Sequence, residues 1–259
     1  MAEAYNKYIE EKGKGEKINL DESMETIDPD NYKIYLLYEF KKRFDGDQKE
    51  WLKQKYTEYL KDETKDYLEN NVFRPDGPQG KFEWLSTLDI NKVLEQYEEK
   101  YPDFEFLGAV PIDFDDLDYL PFKKMNFEDY KKKGIKRIGI IFNLDEHDKS
   151  GSHWVSLFTD LEKGQIYFSD SYAVAPEKRI RDFMSRIKEY IVKGGNPKPD
   201  IRYNKTQHQR GNSECGVYSI NFILRLLKGK TFDHITQKRL TDDQVNKCRN
   251  IYFGNKIKN

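Results

Sequence analysis

Cys215 has the setting in this 259-residue chain that points first to chemistry. It stands in Gln209-Arg-Gly-Asn-Ser-Glu-Cys215-Gly216-Val217, with small polar residues before it and an apolar run to Leu227 after it. The pattern predicts a helix that begins at the cysteine, and the positive end of a helix dipole favours a thiolate. Gly216 beside it would let a substrate backbone come close. The alternative is a buried structural cysteine. Cys248 fits that alternative, three residues after Val245 and three before Ile251. A cysteine nucleophile needs a base, and the base needs an orienting group. Of the histidines, His147 lies in a charged loop, His208 adjoins the Cys215 segment and His234 sits in a polar stretch. His153 opens an apolar strand, His153-Trp-Val-Ser-Leu-Phe158, where a rigid sheet could hold its ring in one geometry. A surface histidine at a strand edge is the alternative. Asp170 ends the next strand, in Tyr167-Phe-Ser-Asp-Ser171, where it could orient the ring or simply start a turn.

The elements that must position these groups are readable from periodicity. Arg137–Leu144 is an apolar run, and a polar loop from Asp145 to Ser152 leads to the strand His153–Phe158. A turn at Asp160–Gly164 leads to a third strand, Gln165–Ser169, and the three read as an antiparallel meander. Pro176 opens a helix that ends at Gly194-Gly195. A short strand follows around Ile201–Tyr203, then the Cys215–Leu227 helix closed by Gly229, then a last helix over about Asp242–Ile251. Upstream, Leu88–Lys100 is helical with Leu88, Val93, Leu94 and Tyr97 as its apolar set. Residues 1–30 read as a polar lead-in. Residues 32–44 and 47–69 read as two helices broken at Asp45-Gly46-Asp47, the second carrying Trp51, Leu52, Tyr56, Tyr59 and Leu60 as a stripe. The loop Arg74–Gly80 suggests a boundary, with an N-terminal helical arm over 1–80 and a core domain over 81–259. Helices, a small mixed or antiparallel sheet, then helices make the class α+β.

Composition narrows the function. The chain is 37% hydrophobic and 35% charged, which implies a very wet surface, while its 14% aromatic content argues against disorder. A net charge of −1 argues against a dedicated nucleic-acid binder. No apolar stretch approaches membrane-spanning length, and the acidic N-terminus carries no secretory h-region. Two cysteines make no disulfide framework, and the absence of C-x-x-C, of a P-loop and of G-x-G-x-x-G leaves no metal or nucleotide cofactor implied.

Gly151-Ser-His153-Trp154, then Asp170 at 17 residues' distance, then Gln209 six residues before Cys215-Gly216, resembles one superfamily. It is that of the ubiquitin-like-protein proteases and the adenovirus endopeptidase, whose chain order is His, acid or Asn, Gln, Cys. Trp84-Leu85, opening a helix, resembles the dipeptide that starts the protease domain there. His153–Asp160, His208–Ser219 and Leu240-Thr-Asp-Asp-Gln look most like the polyprotein-processing proteases of large cytoplasmic DNA viruses such as African swine fever virus, which also carry a helical arm. The resemblance spans about residues 84–252.

It implies a papain-related, adenain-like core with Cys215 as nucleophile, His153 as base and Asp170 as its orienting group. Gln209 would supply an oxyanion-binding amide beside the Cys215 N–H, with Asn212 a less favoured candidate. Trp84 and Trp154 would flank a narrow slot admitting Gly-Gly, although core packing would also explain both. The implied activity is a cysteine endopeptidase cleaving after Gly-Gly-type sequences, with viral structural polyproteins as substrate during virion maturation. It would need no cofactor, metal, nucleic acid or membrane. It would act in host cytoplasm and virion, or otherwise in cytoplasm or nucleus, and would not be secreted. The first alternative is removal of SUMO or another ubiquitin-like modifier from lysine. A remoter one is acetyl transfer with the same His, acid, Cys order, which needs a coenzyme A site that no sequence feature demands. A non-catalytic binding module has no need of the full Cys, His, Asp and Gln set.

Overall fold

The computed structural model describes residues 1–20, 29–44, 51–68, 75, 77, 78 and 80–254. The expected turn at Asp45-Gly46-Asp47 and part of the Arg74–Gly80 loop lie outside them. The chain divides into two compact units, Met1–Pro75 with Gly254–Asn259, and Asp76–Phe253.

The first unit contains α1 (Ala2–Lys12), α2 (Pro29–Arg43), a 3-10 turn (Lys55–Tyr59) and α3 (Asp62–Tyr67). Helix α1 ends at Gly13, whose φ of 63° is the left-handed cap that glycine adopts without strain. Its residues Ala2, Ala4, Tyr5 and Ile9 are buried with Ile18, Phe40, Trp51 and Tyr56. Tyr5 meets Phe44 and Tyr56 edge-on, with centroids 5.6 and 5.8 Å apart, and Phe40 stacks on Trp51 at 5.5 Å. These are favourable aromatic arrangements. The expectation of a polar lead-in is therefore corrected for the start of the chain. The Glu and Lys residues that dominate its composition leave one face apolar, and that face enters an aromatic core. The expected single helix over 47–69 is also broken. Leu60 and Lys61 are extended, with ψ of 143° at both, and separate the 3-10 turn from α3.

The second unit runs α4 (Thr87–Lys100), β1 (Phe104–Pro111), α5 (Phe127–Lys132), β2 (Arg137–Asn143), β3 (Trp154–Asp160), β4 (Gln165–Ser169), α6 (Lys178–Lys193), β5 (Asp200–Tyr203), α7 (Cys215–Leu227), α8 (Phe232–Thr236), α9 (Asp242–Asn246) and α10 (Arg249–Tyr252). Helix α4 starts at a capping box, in which Ser86 and Asp89 satisfy each other's backbone N–H. It buries Ile90, Val93 and Leu94, while Leu88 of the expected set is exposed.

The strands form one sheet in the order β1-β2-β3-β4-β5. The meander β2–β3–β4 is antiparallel as expected, and parallel pairs at each end, β1 with β2 and β4 with β5, make the sheet mixed. Strand β1 and the short helices α5 and α8 are elements that periodicity missed. The register of β1 is interrupted between Phe106 and Ala109, where Gly108 has φ 101°, so no clean alternation runs through it.

Alternation along the central strands sends side chains to two cores. Ile138, Ile140 and Phe142 join Val155 and Leu157 under α6, which contributes Ile180, Phe183 and Ile187. Ile141 and Phe158 face α4 and α7 on the other side. Gly139 lets α7 come close: a Cβ there would sit 3.0 Å from the Phe104 ring and 3.3 Å from Ile223 Cγ2.

The last expected helix is split into α9 and α10, and Arg249 opens the second. It is 0% exposed and its guanidinium points inward. Nε donates to Asn246 Oδ1 (2.8 Å), Nη1 to the Pro78 carbonyl (3.1 Å), and Nη2 to those of Glu83 (2.7 Å) and Ser213 (3.2 Å). One side chain thus ties the C-terminal helices to the chain before α4 and the loop before α7. Arg249→Met should deprive three carbonyls, the Ser213 one buried, of this partner and cost about 3–5 kcal/mol, read as a lowered midpoint in urea. Arg249→Lys, with three donors, should recover part of that loss.

Candidate active site

His153 immediately precedes β3 and Asp170 immediately follows β4. The strands are antiparallel with Ser156 opposite Ser169, so the start of one lies beside the end of the other. His153 Nε2 is hydrogen-bonded to Asp170 Oδ1 at 2.7 Å. The same oxygen accepts the Tyr172 N–H at 2.8 Å. Asn204 brackets the Asp170 backbone, accepting its N–H at 2.9 Å and donating to its carbonyl at 2.7 Å. Asp170 is therefore buried with its orientation set from three sides. The Tyr172 ring stacks on the imidazole, with centroids 4.9 Å apart and planes 29° from parallel, and its hydroxyl donates to the Gly211 carbonyl at 2.6 Å. The turn that brings Tyr172 there puts Ala173 at φ 64°, a conformation a non-glycine residue holds only under constraint.

Cys215 is the first residue of α7 and only 3% exposed. Its thiol lies close enough to His153 to act on the charge of the ring. Since Nε2 is engaged by Asp170, Nδ1 is the ring nitrogen left for the sulfur. Burial alone would lower the His153 pKa. The hydrogen bond to Asp170 and the interaction with Cys215 outweigh it and raise the pKa to about 9. The ring is thus held as an imidazolium at neutral pH.

Gln209 is buried beside these groups. Its Oε1 accepts from Ser171 Oγ at 2.6 Å, and its Nε2 donates to the Gly211 carbonyl at 3.0 Å, which uses one of two N–H groups. Its backbone N–H donates to the Ser171 carbonyl at 3.0 Å. Asp242 fixes the loop that follows: Oδ2 accepts from Arg210 N (3.1 Å) and Gly211 N (3.0 Å), and Oδ1 from Tyr218 Oη (2.9 Å). Asn212 is exposed.

Trp154 is 6% exposed, its indole N–H donating to the Leu85 carbonyl at 3.0 Å, whereas Trp84 is 49% exposed. Both line a groove that also includes Gly151. Trp84 lies just before the Ser86 cap rather than inside α4. Gly216 is buried under Leu85, where a Cβ would come within 3.0 Å of Leu85 Cβ, so close packing explains its lack of a side chain.

The other histidines stand apart from the thiol. His147 pairs with Asp113 at 2.5 Å, buried His208 accepts the Leu240 N–H at 2.9 Å, and His234 is exposed on α8. Sequence reasoning missed Ser171, Tyr172, Asn204 and Asp242. Proximity to Asp170 was an available signal for the first two; nothing in spacing announces the others. Among the described residues no cluster of His, Cys, Asp and Glu could hold a metal ion, and no helix is long and apolar enough to cross a membrane.

Comparison with known proteins identifies the family. The Ulp1 protease family, C-terminal catalytic domain, matches residues 122–258. A protein of Acanthamoeba polyphaga mimivirus named as a thiol protease is 39% identical over 98% of this chain and 86% of its own length. A cysteine protease of African swine fever virus (Kenya isolate), named as a SUMO-1 protease, is 25% identical over 70% of this chain and 71% of its own. The crystal structure of an African swine fever virus protease has the same fold, with a TM-score of 0.69 at 20% identity over 93% of both chains. The SUMO protease Ulp1, solved with its catalytic cysteine as a sulfenic acid, aligns with a TM-score of 0.50 at 17% identity over 67% of this chain and 78% of that one. The chain is a cysteine protease and belongs to the Ulp1 protease family.

Proposed function

We propose that this protease is an endopeptidase that cuts after Gly-Gly in a viral structural polyprotein, with Cys215, His153, Asp170 and Gln209 as its catalytic groups. The observation that carries the assignment is the His153–Asp170 hydrogen bond, with the Cys215 thiol at the start of α7 close enough to act on the same ring. The Cys215 thiolate attacks the scissile carbonyl, and the His153 imidazolium gives its Nδ1 proton to the leaving amine. A thioester remains; His153 then takes a proton from water, which hydrolyses it. Asp170 holds the ring and stabilises its charge throughout. The second Gln209 N–H and the Cys215 backbone N–H, free of helical partners at the start of α7, receive the oxyanion.

The Gly-Gly preference is supported by the two tryptophans. Flat walls close on a backbone that has no side chains and exclude a bulkier one. The viral substrate is supported by similarity to proteases of two large DNA viruses. Residues 1–80 would then be an arm appended to the 81–259 protease core. Removal of a SUMO-like modifier is the second reading, favoured by the name of the African swine fever virus relative.

A panel of Gly-Gly-X peptides, a SUMO conjugate and a ubiquitin conjugate separates these readings. Cleavage of the peptides alone is expected; cleavage of a conjugate alone would replace the polyprotein reading. Cys215→Ala should abolish cleavage of every panel member while leaving the circular dichroism spectrum unchanged. The imidazolium is present below about pH 9, so kcat/KM should fall as pH rises through that value. Asp170→Asn removes a charge that raises the His153 pKa, so the falling limb should move down toward the ordinary histidine value of roughly 6.5.

A further inference from the structure

The two tryptophans also border a groove of about 510 Å³, lined by Tyr119, Asn143 and Asp145 among others. Cys215, Gln209 and Asp170 are not among its lining residues. If Gly-Gly lies between the tryptophans with its scissile end at Cys215, the segment before the glycines emerges on this side. We infer that the groove selects a lysine or arginine side chain in the one or two residues preceding Gly-Gly, through Asp145; this rests on the Gly-Gly reading above.

Asp145 is a built feature of the groove. Its Oδ1 accepts from Ser152 Oγ at 2.8 Å, and its backbone carbonyl accepts from Ile112 N at 3.1 Å. Asn143 Oδ1 closes the loop by accepting the N–H groups of Asp145 (3.0 Å) and Ser152 (3.2 Å). Gly151, at φ 88°, is required there, since a Cβ would fall 2.6 Å from Asn143 Nδ2. The loop therefore presents the carboxylate in one place.

The other charges lining the groove are already matched. Glu146 pairs with Arg179 at 3.0 Å, His147 with Asp113 at 2.5 Å and Lys149 with Asp148 at 3.3 Å. Among the described residues Asp145 has hydrogen-bond donors but no cation within ion-pair distance. One negative charge is left facing the groove. Tyr119, 73% exposed, and Trp84 offer ring faces to the alkyl stem or cationic head of a basic side chain. A lysine or arginine satisfies both features; an acidic residue meets a like charge, and an apolar one leaves it without a cation.

The test uses the full-length enzyme and three peptides that differ only before the cut: Lys-Lys-Gly-Gly-X, Ala-Ala-Gly-Gly-X and Glu-Glu-Gly-Gly-X. The Lys/Glu ratio of kcat/KM is read within each enzyme, so a general loss of activity cancels. The wild-type ratio should be about tenfold at low salt and shrink as salt rises. Asp145→Asn, which keeps an acceptor for Ser152, should bring it to within about twofold, and Asp145→Lys should invert it. A wild-type ratio near one, or a ratio that survives Asp145→Asn, overturns the assignment. Cleavage of the Ala-Ala peptide by the wild type tests the Gly-Gly reading separately: with no peptide cut, that reading fails, whereas equal cutting of all three sinks only the subsite.

Discussion

The hydrogen bond between His153 Nε2 and Asp170 Oδ1 exists at only one register of the β3–β4 hairpin. Side chains alternate across a strand, so a slip of one residue would send one partner to the opposite face. The register is held by the apolar sets on both faces of the hairpin, with Val155, Leu157, Ile166 and Phe168 on one side and Phe158 and Tyr167 on the other. A slip would drive these into the wrong core, and the energy at stake is that of several large side chains rather than one hydrogen bond. The geometry of the site is thus enforced by hydrophobic packing well away from it.

What the hairpin cannot set, the connecting segments do. The last turn of the sheet region, Ser171 to Ala173, and the loop from Asn204 to Glu214 are knitted to each other. Asn204 holds the Asp170 backbone, Ser171 holds both the backbone and the amide of Gln209, and Tyr172 reaches Gly211. Asp242 secures the same loop from α9. Two loops that would be loose on their own become a single braced layer over the start of α7. The left-handed Ala173 is the local conformational cost of that bracing.

Much of this was legible before any coordinates. The polar-to-apolar switch at Cys215 marked the start of α7 to the residue, and the strand ends beside His153 and Asp170 were visible as the limits of short apolar runs between polar loops. The illegible parts share a cause: each depends on partners remote in sequence. Strand β1 is defined by a parallel partner and broken by a bulge, so local periodicity fails there. Arg249 reads as an ordinary helix arginine until Pro78 and Glu83, 171 and 166 residues earlier, are folded against it. The helical face of Tyr5 and Ile9 was hidden by surrounding charge, and only Phe40, Trp51 and Tyr56 reveal it as a core. The bracing by Asn204 follows no spacing rule, because a side chain that grips backbone can come from any loop that passes by.

Gly216 has one more consequence. Leu85 rests directly on it, and Leu85 also carries the carbonyl that locks the Trp154 indole. The helix that carries Cys215 and the Trp154 wall are therefore gauged against each other through a contact whose thickness is one missing methyl group, alongside the hydrogen bond from Ser219 Oγ to the Trp154 carbonyl. Any drift of α7 would carry the wall with it. In the proposed reading the clearance available to a bound chain is then calibrated to the sulfur's own position, with glycine as the shim.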